Sequence, residues 1–225
     1  MIQQDKWQRH FMRFGGIVDR LSRPFMTVEL DHRDSIPSQP MLMAANHRSL
    51  ADVFVALIAC YRLNRPTRFI VARVFFKRPV FGTVLRSIGC IEGGRKSGAG
   101  AVAIAAIADG YTCAIMPEGE IKAMEPGHIL GPLLPGVAEI WEQSQCPFVA
   151  VGVTGAGDVW KKDRWFPRIA LRRRNRPLVH VRVADPVFPG GLPCSLDRVE
   201  EIMEANCVQS AHDHERRLAE LLALR

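Results

Sequence analysis

Alternation is the feature that most constrains how this chain folds. Short apolar runs at 26–30, 41–45, 69–72, 113–116, 148–153 and 179–183 have the length and composition of strands. Between and after them lie longer segments with helical spacing, best developed at 49–63, 79–88, 98–109, 136–145 and 195–224. Strands alternating with helices build a mostly parallel central sheet flanked by helices, an α/β fold. The 225 residues suit one such domain. No repeat or low-complexity linker divides it, and the glycine and proline clusters at 126–136 and 186–193 read as loops within it. The expected organisation is an N-terminal amphipathic helical segment, 1–25, followed by one domain, 26–225.

The first segment places Trp7, Phe11, Phe14, Val18 and Leu21 at helical spacing. Arg9, Arg13, Arg20 and Arg23 fall on other faces, Gly15 and Gly16 weaken the helix, and Pro24 stops it. Two readings stay open: a helix packed on the domain, or an anchor at a membrane surface. Charge bears on the second. The formal net charge is +7, which calls for an anionic partner: a membrane surface, a phosphorylated ligand or nucleic acid. The longest apolar runs, 53–60 and 99–108, are too short to cross a bilayer. Charged residues and the lack of a small-residue cleavage site distinguish the first residues from a signal peptide. The six cysteines form no CxxC pair and mostly sit in apolar runs, as buried, reduced thiols do. The expected location is cytoplasmic, peripheral on the inner face of the cell membrane.

The most informative stretch is Ala45-Asn46-His47-Arg48-Ser49-Leu50-Ala51-Asp52, which leaves an apolar strand and opens a helix. Open α/β sheets bind ligands at the carboxyl ends of their strands. Residues five apart do not share a helix face. His47 and Asp52 can therefore meet only if His47 lies just before the helix, with Ser49 near its N-terminus. Asp52 would then fix the imidazole tautomer and leave the other ring nitrogen to take a proton from a hydroxyl. The competing reading is a capping box, in which Asp52 bonds back to the Ser49 amide and has no catalytic part.

Four blocks in order carry a resemblance. Asn46-His47-Arg48-Ser49 followed by Asp52 is similar to the NHxxxxD box of the glycerolipid acyltransferase superfamily, the PlsC-type, lysophosphatidic acid acyltransferase-like enzymes. The segment 72–82, with Lys77, Pro79, Phe81 and Gly82, resembles the stretch before the second box. Gly89-Cys90-Ile91-Glu92-Gly93-Gly94-Arg95 resembles that box itself, Ile115-Met116-Pro117-Glu118-Gly119 the third, and Pro147-Phe148-Val149-Ala150-Val151 the fourth. The match spans 40–154.

The resemblance implies an O-acyltransferase of phospholipid or other polar lipid biosynthesis. Its donor would be acyl-CoA or acyl carrier protein and its acceptor a lyso-lipid. It implies His47 and Asp52 as the catalytic pair, and Asn46, Ser49, Gly93, Gly94, Arg95, Glu118, Gly119 and Lys122 at the substrate. Arg95 would hold a phosphate, for which a guanidinium fork is well shaped. Backbone amides near Gly93 and Gly119 are the candidate oxyanion donors. No cofactor and no metal are expected.

Departures from the family lie on the acceptor side. After Pro117-Glu118-Gly119 stand Glu120 and Ile121 where the family has threonine and arginine, and Lys122 is the nearest replacement charge. Leu134-Pro135 precedes Gly136 where a lysine is usual, and Ala150 stands where a proline is common. The competing function is a basic nucleic-acid- or lipid-binding module without catalysis, resting on Arg172-Arg173-Arg174-Asn175-Arg176 with Lys161, Lys162 and Arg164. A phospholipid surface explains the same charge, so an anionic membrane and no nucleic acid are the expected partners.

Overall fold

The chain opens with α1 (Lys6–Ser22), β1 (Thr27–His32), β2 (Leu42–Ala45), α2 (Asp52–Arg62), β3 (Thr67–Ala72), α3 (Arg73–Phe76), α4 (Pro79–Ser87) and β4 (Ile91–Gly93). It continues with α5 (Ala99–Ala108), β5 (Thr112–Ile115), α6 (Gly136–Ser144), β6 (Phe148–Thr154), β7 (Leu178–Val183) and α7 (Leu196–Ala223). This computed structural model describes residues 5–32, 36–94, 97–121, 129–160, 166–170, 172, 175–191 and 193–223. The strands form one sheet in the order β1-β7-β6-β2-β5-β3-β4. β2 to β6 run parallel, while β7 is antiparallel to β6 and carries β1 alongside it. The expected mostly parallel sheet flanked by helices is what forms.

Period-two alternation divides the core between the two faces of the sheet. In β2, Met43 and Ala45 join the cluster built around α1 and α2, and Leu42 and Ala44 join the one built around α5, α6 and α7. In β6, Val149 and Val151 face the first cluster, Phe148 and Ala150 the second. Trp141 and Phe148, both fully buried, pack with ring centroids 4.9 Å apart beneath α6.

The N-terminal helix packs on the domain. Phe11 is fully buried in the first cluster, stacked on Phe69, and Trp7, Phe14 and Val18 lie against the same core. Gly15 is required here. A Cβ on it would stand 2.8 Å from the Cβ of Tyr61, so the glycine lets α1 lie close on α2. The Arg62 guanidinium reaches Asp19 at 2.7 Å across the same contact.

Two elements were not expected. β4 is three residues long inside the glycine-rich second box, and α3 is a single turn directly after β3. The six cysteines are free, and five of them are buried. Burial pushes the Cys60 thiol up to about 11 and Cys113 up to about 12, so both stay protonated. No helix of the described residues is long and apolar enough to cross a membrane.

Candidate active site

β2 delivers the chain to the carboxyl edge of the sheet, where residues 46–51 turn before α2 begins at Asp52. The turn brings the side chain of Asp52 back over the loop. Its Oδ2 lies 3.1 Å from Nδ1 of His47 and accepts from the backbone amides of Arg48 at 2.5 Å and Ser49 at 2.6 Å. The two readings of this pair are thus one structure: the carboxylate caps the loop and holds the imidazole with the same oxygen. A carboxylate only accepts, so Nδ1 carries the proton and Nε2 is left with its lone pair. Asp52 is almost completely buried, whereas the His47 side chain keeps 16% of its surface open.

Three residues expected at the substrate bond backbone around this turn. Asn46, 3% exposed, clamps β6: its amide donates to the Val153 carbonyl at 3.0 Å and its oxygen accepts from the Val153 amide at 2.7 Å. Ser49 is fully buried, and its hydroxyl lies 2.9 Å from the Ala156 carbonyl and 2.5 Å from that of Trp160. It ties the turn to the segment after β6. Glu118, also 3% exposed, accepts from the amide of His47 at 2.8 Å through Oε1 and from that of Gly131 at 3.2 Å through Oε2. The acid of the third box therefore holds the backbone of the histidine.

Gly119 completes that turn. Its φ of +74° is open to glycine at no steric cost, and a Cβ there would meet Leu134 at 2.6 Å. Its amide donates to the Met116 carbonyl at 3.0 Å, so that N–H is engaged within the turn rather than aimed outward as an oxyanion donor.

Gly93 closes β4 at the same carboxyl edge, but β4 is the outermost strand, three positions from β2. At about 5 Å per strand, roughly 15 Å of sheet separate the backbone of Gly93 from the strand end that carries the His47 loop. Gly94 is exposed and its carbonyl accepts from Ser97. Arg95 and Lys122 lie outside the described residues, as do Lys161, Lys162, Arg164, Arg173 and Arg174.

A cavity of about 230 Å³ opens beside the turn, between the end of α1, the start of α2 and the segment after β6. Apolar side chains line it, among them Leu21, Phe25, Phe54, Val159 and Trp160, and Ala51 of the His47 turn forms part of its wall. Sequence periodicity could not show it, because its walls come from three separate segments. His212-Asp213-His214 has a structural place: Asp213 is buried against Arg182 at 2.9 Å, and Nε2 of His214 lies 3.1 Å from the Leu178 carbonyl.

A histidine held by an aspartate at a sheet's carboxyl edge suits proton abstraction from a hydroxyl. The family described as Acyltransferase matches residues 27–154. No curated protein matches the chain. Among solved structures, the 1-acyl-sn-glycerophosphate (LPA) acyltransferase PlsC of Thermotoga maritima shares the fold with a TM-score of 0.73 at 20% identity, over 94% of this chain and 83% of that one. More than half of the sequence lies within the family match, and this chain belongs to the acyltransferase family.

Proposed function

We propose that this acyltransferase moves a fatty acyl group from a thioester, acyl-CoA or acyl carrier protein, onto a hydroxyl of a lyso-lipid. One observation carries the reading: the 3.1 Å contact between Nδ1 of His47 and Oδ2 of Asp52, on a turn whose polar groups bond largely to backbone. Nε2 of His47 takes the proton of the acceptor hydroxyl as its oxygen attacks the thioester carbonyl. The tetrahedral intermediate then expels the thiolate, which receives that proton from Nε2, leaving an ester and a free thiol. Asp52 stabilises the imidazolium between the two steps. Asn46, Ser49 and Glu118 act as positioning residues through the backbone, and the apolar cavity behind Ala51 accommodates the acyl chain. The site would face an anionic cytoplasmic membrane surface, with the basic segment around Arg172 and Arg176 contributing charge.

The acceptor differs from lysophosphatidic acid. A phosphomonoester needs compensating positive charge, and Glu120 with Ile121 stands where the family has threonine and arginine. Glu120 suits hydroxyls or an amine, and Ile121 an apolar part of the acceptor, as in a lyso-aminolipid or glycolipid. The test compares acylation of lysophosphatidic acid with uncharged, zwitterionic and amine-bearing lyso-lipids, using one acyl donor and then the other. Transfer that requires His47, with a higher kcat/KM on a lyso-lipid lacking the phosphomonoester, is the expected result. Lysophosphatidic acid as the best substrate refutes the acceptor reading, and absence of transfer from both donors refutes the thioester reading.

A further inference from the structure

The stripe of α1 that made it a candidate anchor turns inward, with only Ile17 and Leu21 of its large apolar residues more than half exposed. Unpartnered apolar surface lies elsewhere, at the corner between α3 and α4. There Val74, Phe75, Val80 and Phe81 are 57%, 41%, 76% and 55% exposed within eight residues. An ordinary surface scatters such side chains singly; a run of them marks a contact site. The corner is held firmly. Phe76 is buried beneath it, and a Cβ at Gly82 would stand 2.2 Å from the Phe76 carbonyl, so α4 packs directly on the turn of α3.

Charge says what covers the patch. From Val53 to Ile91 the sequence has no aspartate or glutamate and seven cations: Arg62, Arg65, Arg68, Arg73, Lys77, Arg78 and Arg86. Arg73 pairs with Glu92 at 2.9 Å, while Lys77 and Arg78 are exposed between the two apolar pairs. Bulky apolar groups flanking an exposed Lys77-Arg78 pair match the boundary between acyl chains and anionic headgroups. Position says why it matters. α3 follows β3 directly, so the corner stands at the carboxyl edge of the sheet, two strands from the His47 turn, or about 10 Å. On the other side of that turn, Phe166 and Ile169 are 79% and 63% exposed.

We infer that the α3–α4 corner is a membrane-docking wedge. Phe75, Val80 and Phe81 enter the interface of an anionic bilayer, Lys77 and Arg78 meet its headgroups, and the carboxyl edge with His47 is held against the lipid surface. This contact is separate from any made by α1, and it does not depend on which lipid is acylated.

Sedimentation of the full-length protein with vesicles of phosphatidylglycerol and phosphatidylcholine tests it. Val80→Asp with Phe81→Asp replaces exposed side chains and should leave the melting temperature unchanged while lowering partitioning at least about tenfold at both low and high salt. Lys77→Ala with Arg78→Ala should lower it at low salt only, because screening removes that contribution. An indole introduced by Phe81→Trp should be quenched by lipids brominated on their acyl chains, relative to the parent protein. If the Asp pair leaves partitioning at the parental level while Leu21→Asp abolishes it, membrane contact runs through α1 and the wedge is refuted. If the Asp pair instead weakens binding of acidic acyl carrier protein and leaves vesicle binding intact, the patch is a protein-docking surface and the inference fails.

Discussion

The His47 turn and the α3–α4 corner sit at the same edge of the sheet, two strands apart, and are built on opposite terms. At the turn, polar side chains are buried and bonded: Asn46 to Val153, Ser49 to Ala156 and Trp160, Glu118 to His47 and Gly131. At the corner, apolar side chains are exposed, with Phe76 buried beneath them. Each inverts the usual rule of apolar inside and polar outside. Buried polar groups are costly unless satisfied, so those at the turn are satisfied by backbone, which fixes one atom, Nε2 of His47, in space. Exposed apolar groups carry no such constraint, which suits a surface that meets a fluid partner. On the proposed function, chemistry belongs to the turn and placement to the corner, and substitutions can separate the two.

The largest effect belongs to the base. His47→Ala should remove about 10²–10⁴-fold of the acyl-transfer rate while the circular dichroism spectrum and vesicle binding stay as in the parent. A rate unchanged by this substitution would take the chemistry away from the turn altogether.

Asp52→Asn sharpens the same point and should cost nearly as much. Oδ2 accepts from His47 and two amides, whereas Oδ1 is buried without a partner among the described residues. An asparagine can keep its oxygen at the Oδ2 position and place its NH2 where Oδ1 stood, so the capping bonds survive. Only the negative charge that stabilises the imidazolium is lost. Activity should therefore collapse with little change in melting temperature. The opposite outcome, a lower melting temperature with full activity, would leave Asp52 as a cap and nothing more.

Glu118→Gln follows, with a smaller effect of another kind. Both carboxylate oxygens face backbone donors, at His47 and Gly131, and a glutamine must turn its NH2 toward one of them. Leaving a buried donor unmatched costs about 1–3 kcal/mol. Displacing the His47 backbone should also lower kcat by about tenfold, since small misplacements of a reacting group are expensive. A substrate-binding role would instead raise the KM for the acceptor at constant kcat. Steady-state kinetics with the acceptor varied separate these outcomes.

How much of this was readable in the sequence depends on range. The six strand runs and the stripe of α1 were legible because they are local and periodic. β4 was not, since Ile91-Glu92-Gly93 is three residues with a charge at its centre, and α3 is one turn with three of its four residues exposed. The His47–Asp52 pair was legible from a spacing of five. The roles of Asn46 and Glu118 were not, because their partners are 107 and 71 residues away. A sequence motif shows that a polar residue stands beside a catalytic one. It cannot show whether its atoms meet a ligand or a distant stretch of backbone.

The smallest expected effect lies on the opposite flank, at β7 and α7, and concerns acid rather than activity. His180 on β7 is 6% exposed, and its Nδ1 has no partner among the described residues. Burial holds its pKa below the ordinary 6.5, against the nearby carboxylates of Asp213, Asp31 and Glu29, which favour the charged form, and with His214, which opposes it. Between the folded value and 6.5 the unfolded chain binds more protons than the folded one. Stability therefore rises with pH across that window and is lost as pH falls through it. Asp213 adds a second window below the first. Burial alone would raise its pKa, but the hydrogen bond from Gln209 and the charges of Arg182 and Arg216 hold it below 3.8, so the stability it contributes persists above 3.8 and is lost as pH falls through the folded value. Thermal melts at descending pH should show a decline beginning below pH 6.5, with each ~1 kcal/mol lost lowering Tm by about 2–4 °C. His180→Gln should flatten the decline just below pH 6.5 and leave the steeper acid limb in place. If the wild-type and His180→Gln curves stay parallel over that range, the buried imidazole is not the group that titrates.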